Sequence, residues 1–468
     1  MIHEQKTVIA GGVKVKQKGI EMETSFNDEI SRHRNYSRRE FLALSAFAAA
    51  GFLAGCAINP VTGQRQLMLV SKDWEIEVDQ ENAPHQFSTD YGTLQDDALN
   101  KYLHQVGKEM APHTHRPGMP YSFQGVNATY INAYAFPGGS IAVTRGILLS
   151  LESEAELAAL LGHEMGHVNA RHTAQQMSKG MLTQAVVGGI AVYAGTKGEH
   201  YGQAAAQLGM LGAGALLASY SRDNEREADR LGMTYMTRSG YGSEGFVQLM
   251  SMLNGLHTGN AGAASLLFST HPMSRERYDT AVDMKNNEFS SFASQPLFRE
   301  RYMDHTAALR ALEPAIALFQ QAEESMARED YDQAETSFNQ GLKLAPRDYA
   351  GLVMMAKCQM VKEKYDKALR FSEKAKQVYP REAQANHLSG FAKIRLKKFD
   401  QAVADFTAYE TKLPGNPNTI FFRGYAYEGM GNKQKSAEDY YHYLQQVNEG
   451  DQAKYAYQRL VEWGVIKL

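Results

Sequence analysis

The pattern of polar and apolar positions changes character several times along the 468 residues. Residues 1–36 are polar and follow no regular period. An uncharged run from Phe41 to Gly55 comes next, too short to cross a bilayer comfortably and shaped like the apolar core of an export signal. Beyond it the pattern predicts helices over about 72–89 and 95–111, then a break at Pro112, Pro117-Gly118 and Pro120. Between Tyr121 and Val143, β-branched and aromatic residues alternate with others, which predicts strands. Ser153 and Glu156 have the spacing of a capping box and open a helix predicted to run unbroken from Glu154 to about Met177. Residues 181–218 are rich in Gly, Ala and Leu, but Lys197, Glu199 and His200 interrupt them. No apolar run there reaches the roughly 18 residues of a membrane span, so close-packed helices are expected, with a lid or membrane-touching hairpin as the minor alternative. A further helix is predicted from about Ser221 to a stop at Ser239-Gly240.

From about residue 312 the chain repeats itself. Tyr331-Asp332-x-Ala334, Tyr365-Asp366-x-Ala368 and Phe399-Asp400-x-Ala402 recur every 34 residues, and Pro346, Pro380 and Pro414 keep the same spacing. This is the tetratricopeptide (TPR) period of paired antiparallel helices, in which the small alanine permits close approach and the proline ends the second helix. A fourth unit around Gly431–Ala437 is expected to slip by one residue. Such repeats stack into a solenoid with a surface suited to docking a protein, or serve as a rigid spacer over the preceding domain.

Length bounds the chain to two or three domains, and an apolar content of 43% is ordinary for folded cores. A net charge of −3 gives no support to nucleic-acid binding. Of the two cysteines, Cys56 closes Leu53-Ala54-Gly55-Cys56, a lipobox-like stretch that makes it the candidate for lipid attachment after removal of residues 1–55. Cys358 then lacks a disulfide partner and is expected as a small buried residue. Ser37-Arg38-Arg39-Glu40-Phe41-Leu42 resembles a twin-arginine signal, with the general secretory route as the alternative. Met22 is a second candidate start.

The candidate chemistry lies in Gly162-His163-Glu164-Met165-Gly166-His167. Residues four apart share a helix face, so His163 and His167 can aim two imidazoles at one zinc ion. Glu164 can then reach water at that point as general base. A catalytic zinc needs a third protein ligand. Spacing alone leaves Glu225, Glu227 and Asp229 as candidates, because the helix carrying them offers several carboxylates. His271, ahead of Pro272, sits on a loop or at a helix start; the other histidines, His172 among them, lack ligand spacing and are expected to be structural.

The pair His-Glu-x-x-His and Glu-x-x-x-Asp resembles the zinc peptidase family that contains the CAAX prenyl proteases and the HtpX heat-shock peptidases. Ser221 to Arg230 is especially similar to its soluble periplasmic branch, in which TPR repeats follow the peptidase. The resemblance implies His163, His167 and Glu225 as zinc ligands, Glu164 as base and Asp229 as an acid behind the ligands. It implies that His271 can fill the fourth zinc position and hold the enzyme at rest; transition-state stabilisation and a plain surface histidine remain open. It also implies that Gly138, Gly139, Ser140 and Ile141 belong to an edge strand that pairs with extended substrate.

The expected fold is mainly α. Residues 1–55 are an export signal, 56–305 an α+β zincin domain with a small sheet beside the motif helix, and 306–468 a TPR solenoid of about four repeats. By resemblance, the chain binds one Zn2+ and acts as an endopeptidase on unfolded or stalled envelope proteins. It would be anchored through Cys56 in the bacterial periplasm, at the outer membrane more than the inner, with the outer-membrane assembly machinery as a TPR partner. The competing expectation is a TPR chaperone or scaffold whose zinc site is closed and structural.

Overall fold

The computed structural model describes residues 56–179, 220–258 and 262–466. The expected export signal, the lipobox ahead of Cys56 and the Gly/Ala/Leu-rich stretch of 181–218 lie outside the described residues, and Cys56 is described only in its backbone. Cys56–Leu468 forms one unit. Among the described residues no helix is long and apolar enough to cross a membrane.

A short hairpin, β1 (Cys56–Ile58) with β2 (Arg65–Leu67), opens this unit. Helices α1 (Lys72–Thr89) and α2 (Asp97–Met110) follow, close to their expected limits. Ser71 and Asp96 cap them by accepting from backbone N–H groups of the first turn. The sheet is β3 (Ser122–Val126), β4 (Ala133–Ala135) and β5 (Ser140–Thr144) in the order β3-β5-β4, with β5 parallel to β3 and antiparallel to β4. After the short α3 (Arg145–Ser150), the motif helix α4 (Glu154–Ala170) is buried along its whole length.

The helix expected from Glu154 to Met177 is broken. Arg171 takes a left-handed conformation (φ 61°), its N–H closes back on His167 and Val168 carbonyls, and a new helical stretch begins at residue 172. Buried anchors hold the break: Arg171 donates from Nε to Glu75 Oε1 (2.9 Å) and from Nη2 to Val70 O (2.9 Å). A non-glycine residue at positive φ needs such compensation.

Helix α5 (Arg222–Arg238) crosses α4 at very close range. A Cβ on Gly162 would lie 2.9 Å from Gly232 O, and one on Gly166 would lie 2.9 Å from Ala228 Cα. The glycines flanking the motif histidines therefore let the two backbones meet, which brings α5 side chains within reach of both rings. Helices α6 (Glu244–Thr258), α7 (Ser265–Thr270), α8 (Arg275–Asn286) and α9 (Arg299–Arg310) complete the shell around this core.

The repeats form four helix pairs: α10 (Glu313–Ala327) with α11 (Tyr331–Leu344), α12 (Tyr349–Val361) with α13 (Tyr365–Val378), α14 (Gln384–Arg395) with α15 (Phe399–Lys412), and α16 (Pro417–Gly429) with α17 (Lys433–Gln446). The last helix, α18 (Asp451–Glu462), covers the end of the stack with Ala453, Ala456 and Leu460. The second helices start at 331, 365, 399 and 433, so the fourth unit does not slip: Ser436, fully buried, takes the small-residue position of Ala334, Ala368 and Ala402. A hydroxymethyl side chain is small enough to do so. Cys358 is a buried free thiol.

One apolar cluster joins the two parts. Tyr91, Val126, Tyr134, Phe136 and Ala142 pack with Phe319, Tyr349, Leu352, Val353 and Ala385 of the repeats. The closeness shows at Gly92 (φ 76°), where a Cβ would lie 2.7 Å from Glu382 Cγ. Polar contacts run across the same seam: Thr93 Oγ1 to Tyr379 OH (3.1 Å), Gln95 Nε2 to Val378 O (3.1 Å), and Gln320 Nε2 to Thr129 O (2.6 Å).

Candidate metal centre

His163 and His167 occupy successive turns of α4, and their Nε2 atoms face each other at 3.1 Å. Glu225, in the first turn of α5, presents Oε1 at 3.4 Å from His167 Nε2 and Oε2 at 3.7 Å from His163 Nε2. Ligands about 2.0–2.1 Å from a tetrahedral zinc stand roughly 3.3 Å apart, so these three side chains are already spaced for one ion. His271, at the C-terminal end of α7, joins them: one ligand atom from each of the four residues lies within 4.8 Å of the others. All four are buried.

The donor set fits a cation in its chemistry as well. Oε1 of Glu225 and Nε2 of His271 are buried without a hydrogen-bond partner, while Oε2 of Glu225 meets the Arg277 guanidinium. Unpaired buried polar atoms are costly, and here two converge on one point. Asp229, one helical turn beyond Glu225, stands behind the ligands with Oδ1 2.9 Å from His163 Nδ1.

Arg277 of α8 supplies the positive charge that these acids require. It grips Asp229 with Nε (2.8 Å) and Nη2 (2.7 Å), and its Nη1 approaches Glu225 Oε2 to 2.6 Å. Burial opposes charge on Asp229, but Arg277 and the His163 ring outweigh it and hold the carboxyl well below its usual range. Tyr220 stacks on the His167 ring at 3.8 Å between centroids, with its hydroxyl 3.1 Å from Thr173 Oγ1.

Residues 97–285 match peptidase family M48. This stretch is a peptidase family M48 domain. Among its curated relatives is the beta-barrel assembly-enhancing protease of Escherichia coli (strain K12), 27% identical over 198 residues that cover 41% of this chain and 40% of that protein. The metalloprotease YcaL of the same organism is 31% identical over 160 residues, covering 34% of this chain and 60% of its own. The mitochondrial metalloendopeptidase OMA1 of Schizosaccharomyces pombe is 28% identical over 240 residues, 51% of this chain and 68% of that one. The chain spans about two-fifths of the length of the beta-barrel assembly-enhancing proteases it matches. Among solved structures, YrrB, a TPR protein with an unusual peptide-binding site, overlaps 44% of this chain and 97% of its own at 16% identity and a TM-score of 0.30. That superposition is too slight to argue from, and the repeats here rest on their own helix pairs.

Within the M48 domain, Glu164 lies beside the ligand cluster, its Oε1 3.9 Å from His271 Nε2 and its Oε2 without a partner. Burial, reinforced by the Glu225 charge and opposed by His163 and Arg277, pushes its pKa up to about 7. Burial, helped by His167, His163 and Arg277 and opposed by Glu225, pulls His271 down to about 3, which leaves a neutral ring with a lone pair. The cavity in front of Glu164 is only about 20 Å³, lined by Leu160, Leu249, Leu253, Phe268, His271 and Arg277 among others.

Two expectations are corrected. Ser140 and Ile141 do not lie on an edge: β5 is the middle strand, with Ile141 paired to Phe123 on one side and Ala135 on the other. Gly138 and Gly139 form the turn into it, tied to Asp79 of α1, which accepts from Ser140 N at 2.9 Å. Among the described residues the sheet edge beside α4 is β4, and a two-sided backbone ladder is what removes β5 from contention. Glu227, a ligand candidate by spacing, points instead at His172, with Oε2 3.1 Å from its Nε2.

Sequence reading missed Arg277, Tyr220 and His172. A signal existed for Arg277, since two buried acids beside neutral ligands demand a counter-charge, but nothing in the spacing says which residue delivers it. His172 was placed among the structural histidines because i,i+5 is not a helical ligand spacing; the break at Arg171 is what turns it toward His167.

Proposed function

We propose that the chain is a zinc-dependent endopeptidase of the bacterial envelope. The observation that carries this reading is the convergence of two imidazole Nε2 atoms and the buried Glu225 carboxylate on one point, with Glu164 beside it. A zinc ion held by His163, His167 and Glu225 would supply Lewis acidity. Glu164 is placed to take a proton from water and return it to the leaving amine. Asp229 orients His163, and Arg277 keeps Asp229 ionised and pairs with Glu225. The β4 edge, in place of β5, pairs with an extended substrate backbone.

His271 is the resting-state ligand in this reading. Its buried neutral ring and the small cavity support a site that is closed until the α7 end moves. The peptidase occupies 56–305 and the repeats 306–468, with the repeats docking unfolded or stalled envelope proteins or outer-membrane assembly partners, as the name of the E. coli relative suggests. Cys56 carries a lipid anchor after export by the twin-arginine or general secretory route, and the outer membrane is favoured.

The closed cavity also favours a second reading, a TPR scaffold with structural zinc. Purified protein is expected to hold one zinc per chain and to cleave casein in a chelator-sensitive way. Glu164→Gln is expected to lower that cleavage by about a thousandfold with zinc retained. Equal in-cell function of the Glu164→Gln protein would establish the scaffold instead, and protein without stoichiometric zinc would end both.

A further inference from the structure

His172 and Glu227 form a chain that ends on a ligand. His172 is fully buried, its Nδ1 lies 2.9 Å from His167 Nδ1, and its Nε2 lies 3.1 Å from Glu227 Oε2. In an unbroken helix a residue five positions on would point about 140° away. The left-handed Arg171, clamped by Glu75 and the Val70 carbonyl, folds the chain so that the two rings meet.

The direction of these hydrogen bonds follows from valence. An ionised carboxylate only accepts, and a neutral imidazole carries one N–H. Glu227 therefore draws the His172 proton to Nε2. That leaves His172 Nδ1 as a lone pair, which can contact His167 Nδ1 at 2.9 Å only if the latter carries a hydrogen. With its proton fixed on Nδ1, His167 has a bare Nε2, and it is this atom that faces His163 Nε2 and Glu225 Oε1. A free imidazole side chain prefers the opposite tautomer, with the proton on Nε2, which would turn an N–H toward the metal.

We infer that His172 and Glu227 are positioning residues that lock His167 in its metal-binding tautomer, a task that Asp229 performs directly for His163. The inference rests on the zinc-site reading above. Glu227 is partly exposed at the relay's outer end, so it can be changed without opening the core.

The test is a zinc affinity by competition with a chromophoric chelator, paired with histidine-selective nitrogen-15 spectra of the zinc-loaded full chain. The spectra are expected to show the proton on Nε2 of His172 and on Nδ1 of His167. Glu227→Gln, whose amide can also donate, is expected to weaken zinc about tenfold and to mix the His172 tautomers. Glu227→Asp is expected to restore the tautomer. Asp223→Asn, an exposed charge on the same helix, is expected to stay within about twofold of the parent, which separates tautomer from charge. Zinc affinity unchanged in Glu227→Gln, or a His172 proton on Nδ1 in the parent protein, overturns the relay while leaving the metal site standing. A parent protein that takes up no zinc overturns both.

Discussion

Two of the buried clusters of ionisable groups among the described residues differ in how their lone pairs are used. At the metal centre, Glu225 Oε1, Glu164 Oε2 and His271 Nε2 are buried without hydrogen-bond partners, and Glu225 and His271 turn toward the point shared by His163 and His167. At the seam between peptidase and repeats, each carboxylate is paired. Asp90 accepts from Tyr130 OH (2.6 Å), Tyr134 OH and Gln86 Nε2 (3.1 Å). Glu382 accepts from Ser88 Oγ, Tyr349 OH and Gln384 N (2.7 Å), and Glu323 from Thr129 Oγ1 and Tyr91 OH (3.5 Å). Lys357 stands over the Tyr91 ring at 4.7 Å, near these acids. Orphaned atoms that converge call for a ligand; acids whose lone pairs are used, as Glu323 and Glu382 use theirs across the seam, make a joint. Burial and charge alone do not separate the two cases.

The sharpest way to break this comparison is to remove the cation at the centre. Arg277→Met leaves Glu225 and Asp229 buried without their guanidinium and is expected to cost about 3–5 kcal/mol in the metal-free protein. Zinc then supplies positive charge to the same acids, so saturating zinc should recover a large part of the loss. Denaturant unfolding with and without zinc measures both. A loss that zinc does not reduce would mean that Arg277 is a structural strut with no link to the site.

At the joint the corresponding change is smaller. Tyr349→Phe removes one donor from Glu382 and leaves its carboxylate underpaired, at an expected cost of about 1–3 kcal/mol. Because the loss falls on the seam, a protease should cut the interdomain region faster while zinc affinity stays at the parent value. Weaker zinc binding in this variant would merge the two clusters into one coupled network and defeat the distinction.

His271→Ala tests whether the orphaned atoms at the centre hold the site shut. Basal casein cleavage is expected to rise severalfold with zinc retained. Lower cleavage would assign His271 to the transition state.

How much of this was legible beforehand follows from the range of the causes. Helix limits at Lys72–Thr89 and Asp97–Met110, the His163–His167 pair and the 34-residue starts at 331, 365 and 399 are set by neighbours in the chain, and spacing reveals them. The break at Arg171 depends on Glu75, nearly a hundred residues away, and β5 is central only because β3 crosses to its far side. The motif's own spacing does not say that Gly162 and Gly166 meet Gly232 and Ala228 of a second helix. The seam is hidden for the same reason: nothing in the spacing of the repeat helices shows that Glu323, Lys357 and Glu382 meet Thr129, Tyr91 and Ser88.

The smallest expected effect is also the cleanest check on the joint. Glu323 faces Thr129 and Tyr91 from the peptidase, near Tyr130, with Lys357 and Arg145 as the nearby positive groups. Burial raises its pKa above the ordinary 4.5, against the lowering influence of Thr129, Lys357 and Arg145. A carboxyl whose folded pKa is raised contributes its stability fully below the unfolded value and loses it as pH rises through the folded value. Glu323→Gln keeps the acceptor for Thr129 and is neutral at every pH. Relative to the parent, the variant should therefore gain stability as pH rises from about 4.5 and level off above the folded pKa, by an amount of about 1 kcal/mol or less. Denaturation midpoints of the two proteins across that range measure the difference. A gap that shrinks with rising pH would mean that Lys357 and Arg145 outweigh burial, that Glu323 is held ionised, and that the joint is an ion pair in place of a neutral latch.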